Sequence, residues 1–273
     1  EGDSLEHDHS MHDHSKMKKM DSSHHSMNHG SIPIGIIGTM HHQGFMLSIK
    51  HGLMKMNGNI LGGKNIGNTE ILSITNPLGN MPANLSIVPK TMDMKMTMID
   101  AMYAPSNNLT FMLMANYVSK DMKLSSYSPM MGRNLVGHFS TSSSDLSSLT
   151  LSGLFDISQT DNSKWYGEIS LKESIGKNDS MAMALTPMGK RMEMVMPYAM
   201  QMGDDSTSLI FGLANLRELG EGILLGNQMK RKIVISEADW SFGDATELSS
   251  WIQYSLSKSI SISSRLKFVD TNS

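Results

Sequence analysis

Thr91-Met92-Asp93-Met94-Lys95-Met96-Thr97-Met98 places a methionine at every second position. A period of two is that of a β-strand, so in a strand all four thioethers point to one face and Thr91, Asp93, Lys95 and Thr97 to the other. At helical spacing the same residues would spread round the axis and form no stripe. The strand continues to about Tyr103. Ala104-Pro105-Ser106-Asn107-Asn108 is a turn signature, and residues 109–118 alternate again: Leu109, Phe111, Leu113, Ala115 and Tyr117 against Thr110, Met112, Met114, Asn116 and Val118. The two segments read as a hairpin. Pairing puts Met92, Met94, Met96 and Met98 on the side of Met112 and Met114, and the aliphatic and aromatic residues on the other side, where lipid is the expected neighbour.

Further segments repeat the pattern. Phe45, Leu47, Ile49 and Leu53 oppose Met46, Ser48, Lys50, Met54 and Met56. Alternation recurs over residues 148–157, 165–175, 209–216, 223–232, 246–256 and 260–268. Short turns are expected near 105–108, 159–163, 217–221 and 258–259. Long loops are expected at 57–90, with a short strand over 70–74, and at 119–143, 177–205 and 233–245. Short turns on one rim and long loops on the other is the pattern of an outer-membrane barrel. The expectation is therefore all-β: an antiparallel transmembrane β-barrel of about 10, and up to 12, strands. Residues 32–273 are expected to form that barrel, without its closing C-terminal strand. Bacterial single-chain barrels close with an even number, and the strands read here are an odd set.

Residues 1–31 are a different material. His7, His9, His12, His14, His24, His25 and His29 are interleaved with Met and Asp and offer nothing to bury, so a disordered His/Met-rich tail is expected. The 273-residue chain holds 28 methionines, 11 histidines and no cysteine, with a formal net charge of −3. Thiolate sites and disulfides are thereby excluded, and no nucleic-acid partner is suggested. No apolar run reaches 18 residues, so no spanning helix is expected. The chain begins without Met, consistent with a signal peptide already removed.

Thioethers select Cu(I) and Ag(I), and imidazoles suit Cu(II). Thioethers on adjacent strands come close enough for two or three to share an ion, since directly opposed Cβ atoms lie about 4.5–5.5 Å apart. A run of weak sites lets an ion leave as well as enter. The expected metal ligands are Met92, Met94, Met96, Met98, Met112 and Met114, with Met46, Met54, Met56, Met40, His41 and His42 beside them. Met192, Met194, Met196, Met200 and Met202 are expected to come from a loop folding over the mouth. The tail histidines form a collecting segment for Cu(II). No nucleophile elbow, phosphate loop or His-Glu-x-x-His motif exists, so no enzyme is expected.

An ordered set of pieces resembles a known family. They are Met40-His41-His42-Gln43-Gly44-Phe45-Met46, Met54-Lys55-Met56, the hairpin from Met92 to Met122 with Met102-Tyr103-Ala104-Pro105, Thr186-Pro187-Met188-Gly189, and Pro197-Tyr198-Ala199-Met200-Gln201-Met202-Gly203. Their order over residues 38–269 resembles the Met-rich outer-membrane β-barrel "transporter" proteins associated with copper-resistance loci, related to the phenol-degradation MetA-pathway barrels. The family's Glu-Trp before the first-strand methionine is replaced by Phe45 alone, and its aromatic C-terminal strand is absent. The resemblance implies the outer membrane of a Gram-negative bacterium, lipid as neighbour, and copper as the bound metal ion. It is silent on oligomeric state. Two alternatives stand beside a copper-passing barrel: a passive channel for small hydrophobic or neutral solutes, and a non-transporting structural or binding barrel.

Overall fold

The computed structural model describes residues 36–40, 43–77, 79, 81–130, 132–220, 222–236, 240–257 and 260–272. In chain order the elements are β1 (Gly44–Asn57), β2 (Asn59–Leu61), β3 (Lys64–Ile66), α1 (Asn68–Ser73), β4 (Ile87–Ser106), β5 (Leu109–Tyr127), β6 (Leu135–Thr160), β7 (Ser163–Ser174), β8 (Met181–Leu185), β9 (Arg191–Val195), β10 (Thr207–Gly220), β11 (Ile223–Ser236), β12 (Asp244–Ser255) and β13 (Ser261–Asn272). Nine strands form one antiparallel sheet in the order β1-β4-β5-β6-β7-β10-β11-β12-β13, curled into a half-barrel. The all-β antiparallel expectation is met. Among the described residues the sheet holds nine strands, the odd set read in the sequence, and β1 and β13 are its two edges.

Each strand of the sheet interior has one buried and one exposed face, and the usual polarity is reversed. On β5, Phe111, Leu113 and Tyr117 are exposed; on β6, Leu149 and Leu151; on β7, Trp165, Ile169 and Leu171; on β12, Leu248, Ile252 and Tyr254. The buried face of the same strands carries Thr110, Thr150, Ser152, Glu168, Ser170, Ser249 and Gln253. Water on the outside would make this arrangement costly, because a continuous apolar surface of this extent is far beyond a soluble monomer's usual patch. The band also runs oblique to the hydrogen-bond ladder. From Ile49 the ladder passes Ile99, Ala115 and Leu149, then leaves the apolar band at Glu173 and Thr207. That stagger is what a tilted, closing sheet requires. No helix among the described residues is long and apolar enough to cross a membrane.

Two inner-face glycines make room for large groups. At Gly226 an added Cβ would stand 2.0 Å from the Trp251 ring, which lies flat across the neighbouring strand. At Gly212 a Cβ would meet Ile37 Cδ1 at 2.6 Å and Glu168 Oε2 at 2.9 Å. Gly212 sits between Glu168 and Lys230 in the ladder, so its bare backbone lets the two side chains meet across β10 at 2.7 Å.

Residues 36–40 occupy the inside of the curl. Ile37 is buried with Met102, Leu154, Tyr166, Ala214, Leu216 and Trp251, and Met40 packs against the same cluster. Ile37 N–H donates to Gln228 Oε1 at 2.7 Å, Thr39 Oγ1 to Asp156 Oδ1 at 2.7 Å, and Met40 N–H to Thr110 Oγ1 at 3.1 Å. The segment thus forms a strap fastened to β11, β6 and β5.

Several loop expectations are corrected. Residues 119–143 are mostly strand: β5 runs on to Tyr127 and β6 begins at Leu135, with Met122 on β5 and His138 on β6. There both faces are largely polar, so ladder hydrogen bonds rather than alternation hold the strands. The strand expected over 70–74 is helix α1. Glu70 accepts the Gly67 N–H at 2.7 Å, and Ile71 and Leu72 bury against Val88. The 177–205 stretch contains the hairpin β8–β9 and a 3₁₀ turn at Tyr198–Met200. The turn expected at Lys258 and Ser259 lies outside the described residues, as does the tail of residues 1–31.

Candidate functional site

Every methionine of β1, β4 and β5 lies on the buried-face register, and ladder pairing sorts them into rows. One row is Met56–Met92–Met122 and another Met46–Met102–Met112. Between them lie Met54 opposite Met94, Met96 between Gly52 and Val118, Met98 between Lys50 and Asn116, and Met114 opposite Asp100. The column Met92, Met94, Met96 and Met98 therefore faces inward, while Asp93, Lys95 and Ile99 on its reverse side are exposed. Met98, Met102 and Met122 are buried; Met92, Met94, Met96, Met112 and Met114 are half-buried. Met46, Met54 and Met56, on the edge strand, are more exposed.

The rest of the inner face differs in kind. β7, β11 and β12 present Lys164, Tyr166, Glu168, Ser170, Gln228, Ser249 and Gln253 to it. Met229, the methionine of β11, points outward and is half exposed. Packing filler has no reason to be confined to three adjacent strands, because methionine serves any irregular gap equally well.

The segment after β9 closes over one end of this wall. Met196 and Met200 are buried with Met122, Leu124, Phe139 and Ala184, and Met92 packs against them. The closure is pinned by polar contacts. Lys120 Nζ donates to Ala199 O at 2.9 Å and to Gln201 O at 2.7 Å. Ser143 Oγ donates to Met200 O at 2.7 Å and Ser147 Oγ to Met202 O at 2.7 Å. The buried Gln201 side chain accepts the Ser180 N–H at 2.8 Å and donates to Met196 O at 2.7 Å. The expected mouth loop is thus present, but only part of it joins the methionine wall. Met200 and Met196 join it. Met202 is buried beside Gly176, away from that cluster. Met192 and Met194 stand exposed on the β8–β9 hairpin, too far into solvent to share the packed cluster. Met40 sits in the strap. His41, His42 and the seven tail histidines lie outside the described residues.

Met102 and Met122 join the wall although neither was among the expected ligands. Met102 continues the period-two column past Asp100, a signal present in the sequence. Met122 was hidden in a stretch read as loop. Among the described residues no group of three or more His, Asp or Glu side chains converges on a metal position. The donors the wall offers are therefore thioethers, with Asp100 the carboxylate set among them.

Behind the closure, Asp204 is the fastening point. It is buried, and its carboxylate accepts the Phe242 N–H at 2.7 Å and the Ser206 hydroxyl at 2.7 Å, while its own N–H donates to Ser174 Oγ at 3.0 Å. Burial alone would raise this carboxyl; the hydrogen bonds from Phe242, Ser174 and Ser206 outweigh it and hold it below the ordinary 3.8. A depressed carboxyl contributes stability that is complete above its ordinary value and lost as pH falls through the lowered one. The loop over the wall is therefore expected to keep its protection from protease at pH 5 and above, within the range where carboxylates are charged, and to lose it only in stronger acid. Asp204→Asn should remove that acid step.

The chain matches no protein-family model and no curated protein.

Proposed function

We propose that this chain is an outer-membrane β-barrel protein that binds copper as Cu(I) through its methionine wall and passes or buffers it across the outer membrane. The single observation that carries the reading is the segregation of thioethers: rows Met56–Met92–Met122 and Met46–Met102–Met112 line one inner wall, with Met196 and Met200 roofing one end. Soft monovalent ions take such donors, and hard cations do not. Several weak thioethers hold an ion without the permanence of thiolates.

The membrane setting is supported by the exposed apolar band on the convex face and the polar residues on the concave one, the inverse of a soluble sandwich. If lipid covers Leu151, Leu151→Arg should destabilise the chain folded in bilayers by about 2–4 kcal/mol, the range for a cation at mid-bilayer. A loss of only a few tenths would place that surface in water instead.

The chain reconstituted in liposomes tests the role. Native protein should bind several Cu(I) ions against a competing chelator and release entrapped Ag(I), whereas no binding at all would end the copper reading. A second reading, a barrel that binds without transporting, is favoured by one feature: the strap of residues 36–40 lies inside the curl, tied to β5, β6 and β11. Binding without any Ag(I) release would select it.

A further inference from the structure

Halfway along the methionine wall a carboxylate stands among the sulfurs. Asp100 is 1% exposed. Its Oδ2 meets Lys50 Nζ at 3.0 Å and accepts a hydrogen bond from Ser48 Oγ at 3.4 Å. Its Oδ1 is buried and has no hydrogen-bond partner. On the next strand, Asn116 donates through Nδ2 to Ser148 Oγ at 3.1 Å, but its Oδ1 is likewise buried and unpartnered. The ladder sets the two residues on the same face of adjacent strands. Asp100 faces Met114, and Asn116 faces Met98, so the two oxygen-bearing residues are diagonal neighbours, a separation of about 7–8 Å between backbone positions that side chains bridge. A buried acceptor left without a donor costs free energy. Two such acceptors on one small patch, one of them charged, ask for a cation.

We infer that Asp100 Oδ1, Asn116 Oδ1 and the thioethers of Met98 and Met114 form a mid-wall site for a soft monovalent cation, and that Lys50 is a tethered cation that competes for it. The inference rests on the copper reading and adds what thioethers alone lack. Neutral sulfur leaves the ion's charge uncompensated in a poorly hydrated interior, whereas one carboxylate cancels it. Lys50 supplies that charge when no ion is bound. Its side chain is 40% exposed, so it can swing toward solvent as an ion arrives. Entry and exit of the ion then exchange one positive charge for another, with no change in net charge at Asp100.

Ag(I) titration of the full chain in detergent, against a competing chelator, tests this. Lys50→Gln should bind about fivefold more tightly, because a partly exposed competing charge is worth about 1 kcal/mol. Asp100→Asn should bind about fivefold less tightly, a loss of similar origin. The double variant should bind no better than Asp100→Asn. Since Lys50→Gln leaves a buried carboxylate unpaired, its melting temperature is followed too, and Ag(I) should raise it by more than it raises that of the native chain. If both single variants bind as the native chain does, while the Met92, Met94, Met96 and Met98 to Leu variant loses binding, the inference is overturned and the copper reading stands. If the native chain takes up no Ag(I), both fall.

Discussion

Replacing Met92, Met94, Met96 and Met98 together by leucine is expected to lower Cu(I) affinity of residues 36–273 by at least about a hundredfold, since changing even a residue that only orients a metal ligand typically costs about 10–100-fold, and here the ligands themselves are removed. Leucine keeps the volume and apolarity of methionine, and such swaps usually destabilise by less than about 1.5 kcal/mol per site. The variant should therefore fold and lose only its sulfur. Two of the four have a sulfur neighbour: Met92 pairs with Met56 and Met122 and packs against the cluster that holds Met196 and Met200, and Met94 pairs with Met54; Met98 lies beside the Asp100 patch. The titration is run on a chain lacking the histidine tail, so that imidazole does not mask the loss. Unchanged affinity would mean that the wall is only packing.

The largest stability effect is expected across β10. Glu168 is nearly fully buried and is met by Lys230 at 2.7 Å through the gap at Gly212, with Ser170 Oγ donating to its other oxygen at 2.6 Å. Removing one member of a buried pair leaves the other charge uncompensated, which costs about 3–5 kcal/mol. Glu168→Leu should fall at the low end, because the Lys230 left behind keeps 23% of its side-chain exposure, whereas Lys230→Met strands the buried Glu168 carboxylate. Chemical unfolding of Lys230→Met, Glu168→Leu and the double variant measures it. The double variant should recover most of the loss, since a buried pair replaced by apolar groups is often neutral. A double variant as unstable as the sum of the singles would show that the two side chains do not act on each other.

The part of the fold that was legible in the sequence is the part where a strand separates lipid-suited from interior residues. The hairpin of β4 and β5 could be read because Met92 to Met98 and Leu109 to Tyr117 alternate with period two, and the inward direction of the methionines followed from pairing alone. Beyond Tyr117 and before Leu149 the strands are largely polar on both faces, so Ser119 to Leu124 and Ser140 to Ser143 looked like loop although the ladder continues through them. Helix α1 is six residues long, too short for a periodic signal. The strap was visible only as an apolar stretch before β1; its seat inside the curl depends on Thr110, Asp156 and Gln228, each at least 70 residues away. Within the site, thioether rows were predictable from register, but Asp100 was not. Its significance comes from Lys50 and Asn116, which the sequence places in other segments.

X-ray absorption at the copper edge of the Cu(I)-loaded chain tests the central claim most directly, because it identifies the atoms touching the ion. Sulfur scatterers in the first shell, lost when Met92, Met94, Met96 and Met98 become leucine, are the expected result. A first shell of nitrogen and oxygen alone, unaffected by those substitutions, would contradict it and assign the copper to the histidine tail.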